Sequence, residues 1–191
     1  MPSLFTRTGD DGTTGQLGEE RLPKSHPRME TLGTLDEASA SLGLARALCQ
    51  AEEIGPILVD VQRDLYALMV EIATEPEKTG RFQSPRHAQG GTLDLTRVNW
   101  LESQAEAICA IAPLPNEFIL PGDTPGSAAL ALARTVVRRA ERRVASLLKS
   151  GDVENQILLQ YLNRLSSLVF ALELLENQHA GKQTTLAKKE K

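Results

Sequence analysis

The chain has 191 residues and a mass of 20.8 kDa, enough for one domain with a core of its own. Hydrophobic residues make up 41% and charged residues 24%, an ordinary globular balance, and a net charge of −4 argues against bulk electrostatic attraction to nucleic acid or acidic membranes. Aromatic residues are only 4%, and the dominance of Leu, Ala, Arg and Glu favours helices over sheets.

Close to the start lies TRTGDDGTTG, residues 6–15. Gly9, Gly12 and Gly15 permit positive φ and close backbone approach, while Thr6, Thr8, Thr13 and Thr14 supply hydroxyls. Glycine-rich turns with exposed N–H groups form concavities suited to phosphate oxygens. No Gly-Lys-Ser/Thr follows, so this is not a Walker A loop, and a merely turn-rich N-terminus fits the local chemistry too. Leu22 to Pro27 is kept extended by two prolines. Apolar residues at helical spacing then predict a helix from about Met29 to Leu48 and a second over about 52–74. Residues 75–91, rich in Pro, Gly and charge, predict a mobile surface loop. A third helix is expected from a capping sequence at 92–94 to Ala112. The linker from Pro113 to Pro125 cannot be helix throughout. A long basic helix follows over 126–150, stopped by Gly151, then a last helix over about 153–177. Residues 182–191 predict a frayed polar tail. Cys49 and Cys109 sit in apolar helical patterns and are expected as reduced thiols. With no secretory signal and no stretch approaching roughly 18 uncharged apolar residues, the expected location is the cytoplasm.

Five helices without a strand pattern predict an all-α bundle. On the basic helix, Arg134, Arg138 and Glu141 fall within roughly 60° of one another at about 100° per residue, beside the apolar stripe. Arg139, Arg142 and Arg143 point elsewhere, as solvated charges do. Arg134 and Arg138 need partners, either a carboxylate such as Asp36 or an anionic ligand. Asn163 borders the core stripe of the last helix, where inter-helix hydrogen bonding is the plain alternative to a site. Phe118 fits a core plug equally well. His26, His87 and His179 lack metal-ligand spacing, and no Gly-x-Ser-x-Gly elbow exists. The pattern indicates anion binding and no nucleophile or general base.

Taken together, TRTGDDGTTG, Pro23-Lys24, Gly33-Thr-Leu-Asp-Glu37, FILPGDT (118–124), ARTVVRRAER (133–142) and YLNRLS (161–166) resemble the PduO-type ATP:cob(I)alamin adenosyltransferases, over roughly residues 5–175. The resemblance implies a five-helix, ferritin-like bundle forming a homotrimer with sites between subunits. It also implies transfer of the 5′-deoxyadenosyl group of ATP to the cobalt of cob(I)alamin, with release of triphosphate and help from Mg²⁺. The implied division is a nucleotide-binding segment at 1–28, the bundle at 29–178 and a polar tail at 179–191. By the same resemblance Thr6, Arg7, Gly9, Asp11, Gly12, Thr13, Thr14 and Lys24 would wrap the triphosphate. Arg138, Glu141 and Asn163 would complete the ATP site from the neighbouring subunit. Asp36 and Arg134 would pair across subunits beside the corrinoid, and Phe118 would displace the lower axial ligand of cobalamin. Implied further partners are a corrinoid reductase and an adenosylcobalamin-dependent enzyme, with no role for nucleic acid or membrane. A non-catalytic trimer that binds ATP or corrinoid and delivers adenosylcobalamin to a dependent enzyme is the alternative. The chain departs from the family pattern at Ala38-Ser39, Asp123 and Ser167.

Overall fold

Pro27 occupies the first helical position, where its missing N–H costs nothing, and the His26 ring accepts a hydrogen bond from the Arg28 N–H at 3.2 Å. Helix α1 runs from there over Pro27–Leu48, followed by α2, Ile54–Ala73. Helix α3, Leu95–Ile111, is capped by Asp94, whose carboxylate accepts from the Thr96 N–H at 2.9 Å. Helix α4, Pro125–Ser150, begins in a capping box of Thr124 and Ser127 and ends at Gly151, whose φ of 82° suits the left-handed turn only glycine adopts freely. Helix α5 spans Ile157–His179. The structure is a computed structural model that describes residues 5, 7–17, 21–74 and 93–188.

Helix α4 packs against both α1 and α5, α5 against α3, and α1 against α2. The core is built from one stripe of each outer helix, such as Leu35, Ala38, Leu42 and Ala45 of α1. Helix α5 is buried on nearly every side from Ala171 to Asn177. By length and composition it could cross a membrane, yet its apolar surface is consumed by packing inside the protein.

Two polar knots define the ends of the bundle. At one, the buried Arg28 guanidinium donates to the carbonyls of Ile72 (2.6 Å), Thr74 (3.3 Å) and Asp152 (2.7 Å), tying the start of α1 to the end of α2 and the α4–α5 connection. Free carbonyls at a helix C-terminus favour such a cation. At the other end, the Glu176 carboxylate accepts from the N–H groups of Gln50 and Ala51 at 3.0–3.1 Å. Gly126 lies so close there that a Cβ would sit 2.7 Å from Glu176 Oε1 and 3.0 Å from Cys49 Cα. Helices α1 and α4 therefore run antiparallel, as ion pairs Glu30–Arg143 and Glu37–Arg139 along their seam require.

The five helices agree with the sequence pattern, with ends shifted by a few residues. Two expectations need correction. A small antiparallel hairpin, β1 (Thr13–Gly15) and β2 (Arg21–Pro23), precedes the helices. Residues 182–188 are not a frayed tail: the Leu120 N–H donates to the Thr185 carbonyl (2.8 Å) and the Ala187 N–H to the Phe118 carbonyl (2.7 Å). The 75–91 loop lies outside the described residues. Cys49 and Cys109 are free and half-buried, and burial, with Glu176 nearby, pushes the Cys49 thiol up to about 12.

Candidate functional site

The glycine- and threonine-rich stretch folds back on itself. Asp11 accepts from both the N–H and the hydroxyl of Thr13 at 2.8 Å, an Asx-type turn that holds its carboxyl below the usual range. Gly12 takes a φ of 83° to make that turn. The Lys24 N–H then donates to the Gly12 carbonyl at 2.9 Å. The Lys24 ammonium lies over Gly9, where a Cβ would come within 3.3 Å of Nζ. Thr14 pairs with Leu22 in the hairpin, and Leu17 donates to the Ala73 carbonyl at 3.1 Å, anchoring the hairpin at the Arg28 end. Gly9, Asp11, Gly12, Thr13, Thr14 and Lys24 are thus gathered on one hairpin. Arg7 stands exposed beside it with a φ of 60°, and Thr6 lies outside the described residues.

A second group forms where α4 meets α5. Asn163 donates to Glu141 at 2.9 Å and accepts from Arg164 at 2.7 Å, while Arg164 also reaches Glu102. Arg138, one turn before Glu141, is exposed, and no ion pair to its guanidinium occurs among the described residues. Its neighbours Arg139 and Arg143 are bound across to α1, so their charge is spent in the bundle. Arg138 retains a free cation beside a fixed carboxylate and amide.

The third group surrounds an open cleft of about 410 Å³ lined by residues 115–119, Arg134 and Phe170. Phe118 stands 88% exposed at its mouth, so it is no core plug. Its backbone is held by the C-terminal segment, through the Ala187 bond and the Ile119–Leu186 bridge. Asp123 secures that segment, accepting from the Thr185 hydroxyl (2.6 Å) and N–H (3.0 Å) and from Asn177 (3.3 Å). The Arg134 guanidinium lies 5.6 Å from the centre of the Phe170 ring, within cation–π range. Asp36 is exposed on α1, and no ion pair joins it to Arg134 among the described residues.

The structure therefore keeps the hairpin apart from the cleft, whereas the cleft adjoins the α4–α5 face through Arg134, one turn before Arg138 on α4. The hairpin sits at the Arg28 end of the bundle, whereas the Phe118 loop leads into α4 at the Gly126 end. From Arg134 to the C-terminus of α4 the helix rises about 24 Å.

Sequence reasoning missed several residues. Arg21 donates to the Thr13 hydroxyl from Nε (3.0 Å) and Nη2 (2.8 Å), and lies 3.9 Å from Asp11. Its position before Pro23-Lys24 carries no meaning until the hairpin forms. Glu173, one turn beyond Phe170, is buried, and burial together with Asp123 raises its carboxyl to about 7 against the pull of Arg134.

A family model described as cobalamin adenosyltransferase matches residues 4–176. The chain belongs to the cobalamin adenosyltransferase family. Among curated relatives of this cobalamin adenosyltransferase homologue, corrinoid adenosyltransferase PduO of Salmonella typhimurium is 36% identical over 179 residues, covering 93% of this chain. The chain spans only 51% of that protein's length. It spans 88% of the Bacillus subtilis corrinoid adenosyltransferase, at 36% identity over 182 residues and 93% of this chain. A variant of the PduO-type ATP:corrinoid adenosyltransferase from Lactobacillus reuteri, complexed with cobalamin and ATP, superimposes with a TM-score of 0.83 and 28% identity, covering 98% of this chain and all of that one. A second variant of the same enzyme, complexed with ATP, gives a TM-score of 0.82 at 28% identity, covering 97% of this chain and 100% of its own.

Proposed function

We propose that this chain transfers the 5′-deoxyadenosyl group of ATP to the cobalt of cob(I)alamin in the cytoplasm. The observation that carries the reading is Phe118, a large apolar side chain left in water at the mouth of a cleft. Such exposure forfeits about 1.5–3 kcal/mol of burial, which a broad, partly apolar ligand such as a corrinoid restores. In the reaction, the Co(I) electron pair forms the new bond to C5′, the C5′–O bond breaks, and triphosphate departs with the electron pair of that broken bond. The nucleophile carries no proton, so the reaction asks no side chain to act as a general base. What the protein supplies is alignment and charge. Lys24 and the Thr13 and Gly12 backbone cradle the triphosphate, with Thr6, Arg7, Gly9, Asp11 and Thr14 around it. Arg138 meets the developing negative charge, and Glu141 with Asn163 fixes the nucleoside.

The separation of the groups supports sites built between copies. Reacting atoms must approach within about 3–3.5 Å, yet hairpin and cleft lie at opposite ends of one chain. A hairpin donated by a neighbour to the α4–α5 face joins the two halves, with Asp36 and Arg134 free to pair across the same interface, in a homotrimer. Among the described residues no three His, Cys, Asp or Glu side chains converge on a metal position, and Asp11 already serves Thr13. Mg²⁺ bound with the nucleotide beside Lys24 and Thr13 would supply neutralisation of the leaving-group charge. Phe118 would take the space of the lower axial ligand of cobalamin.

The test is anaerobic mixing with cob(I)alamin and MgATP, following corrinoid absorbance and triphosphate together. Adenosylcobalamin with one equivalent of triphosphate supports the enzyme. Saturable binding of both ligands without triphosphate would make the protein a carrier, and binding of neither would end the proposal.

A further inference from the structure

Two polar atoms of opposite character lie buried without hydrogen-bond partners among the described residues beside the Phe118 cleft: Nε of Arg134 on α4 and Oε2 of Glu173 on α5. Glu173 is only 1% exposed. Complementary groups left open on packed neighbouring helices are exceptions in folded proteins, and each calls for a reason. The two feel one another through space, because Arg134 is the charge that favours ionisation of Glu173. Burial and the Asp123 carboxylate oppose it, holding the carboxyl at about 7. Arg134 from α4 and Asp123 from the loop before α4 are the charged groups acting on Glu173. On its other side the Arg134 head lies over Phe170 on the cleft wall. Arg134 thus stands between an interior carboxylate and whatever enters the cleft.

We propose that Glu173 is a positioning residue that competes with the bound corrinoid for Arg134. Ionised, it draws the guanidinium inward and closes the two open hydrogen-bonding groups upon each other. Protonated by solvent, it leaves Arg134 on the cleft wall to serve the ligand and the carboxylate of a neighbouring copy. The proposal rests on the adenosyltransferase reading. Linkage then fixes its signature: if the corrinoid binds best to the protonated form, binding takes up a proton, and affinity falls as pH rises through neutrality.

The experiment is calorimetric titration of cob(II)alamin into the MgATP-loaded full chain at pH 6, 7 and 8, in two buffers of different ionisation enthalpy. The wild type is expected to take up close to one proton per corrinoid at pH 8, with affinity falling about tenfold per pH unit above the titration. Glu173→Gln should take up none and keep one affinity across the range. Asp123→Asn removes the charge opposing ionisation, so its transition should move to lower pH. That variant leaves Glu173 in place and carries the test should Glu173→Gln not fold. Equal proton uptake by the wild type and Glu173→Gln, no uptake by the wild type, or an unmoved transition in Asp123→Asn would overturn the proposal. A wild type that neither binds corrinoid nor forms adenosylcobalamin would instead overturn the functional reading.

Discussion

The hairpin and the α4–α5 region hold their polar side chains by different means. In the hairpin, Asp11, Thr13 and Arg21 are exposed or half-buried and fix one another through short local hydrogen bonds. On α4 and α5, Arg134, Glu141 and Asn163 ride on helices whose opposite faces are core. Exposed polar contacts contribute little to stability, whereas a buried face contributes heavily. The first region can therefore reorganise around a ligand at small cost. The second is a fixed template against which that reorganisation occurs.

Substitutions can break this comparison, and the largest effects belong to the template. Arg28→Ala would strand the carbonyls of Ile72, Thr74 and Asp152 in the interior, lowering unfolding free energy by about 3–5 kcal/mol; denaturant unfolding measures it. Glu173 comes next. Its carboxyl rises from 4.5 to about 7 on folding, so the native state holds a proton that the unfolded chain releases. Its contribution to stability is therefore lost as pH rises from about 4.5 to about 7, by an amount of the order of 3 kcal/mol. Glu173→Gln should flatten that slope in melts across the range, gaining relative to the wild type only on the neutral side. Arg138→Ala should leave melting unchanged, since the side chain is exposed and has no ion pair among the described residues. It should cut kcat/KM for ATP by the equivalent of about 1.5–3 kcal/mol. Smallest is Arg21→Ala, with a rise in KM for ATP worth about 1 kcal/mol and no change in melting. A large melting shift in Arg21→Ala would show that the hairpin belongs to the template after all.

The helices were legible because Leu, Ala and Val recur at the helical period and the capping sequence at 92–94 marks the start of the third. The hairpin was not, since its strands of three residues are too short to show alternation. Segment 182–188 misled by composition: it docks through backbone groups and Thr185, which no apolar pattern announces. The site divides similarly. Motifs marked Lys24, Arg138, Glu141 and Asn163, and the structure brings the last two into contact. Glu173 was hidden because α5 is buried on nearly every side from Ala171 to Asn177, so periodicity could not tell an inward carboxylate from an outward one. The Arg134–Asp36 pair has no partner geometry within one chain.

Gly126 carries a mechanical consequence. With no room for a Cβ between the Glu176 carboxylate and the Cys49 backbone, the first turn of α4 is wedged against the ends of α1 and α5. Close packing at that turn resists displacement of the helix toward α1 and α5. Arg134, Arg138 and Glu141 accordingly keep fixed intervals of about 6 and 4.5 Å along its axis, like marks on a ruler. Whatever moves during turnover must move past that scale, through side-chain rotation, the hairpin or the Phe118 loop, and not by pressing the helix that carries it toward α1 and α5.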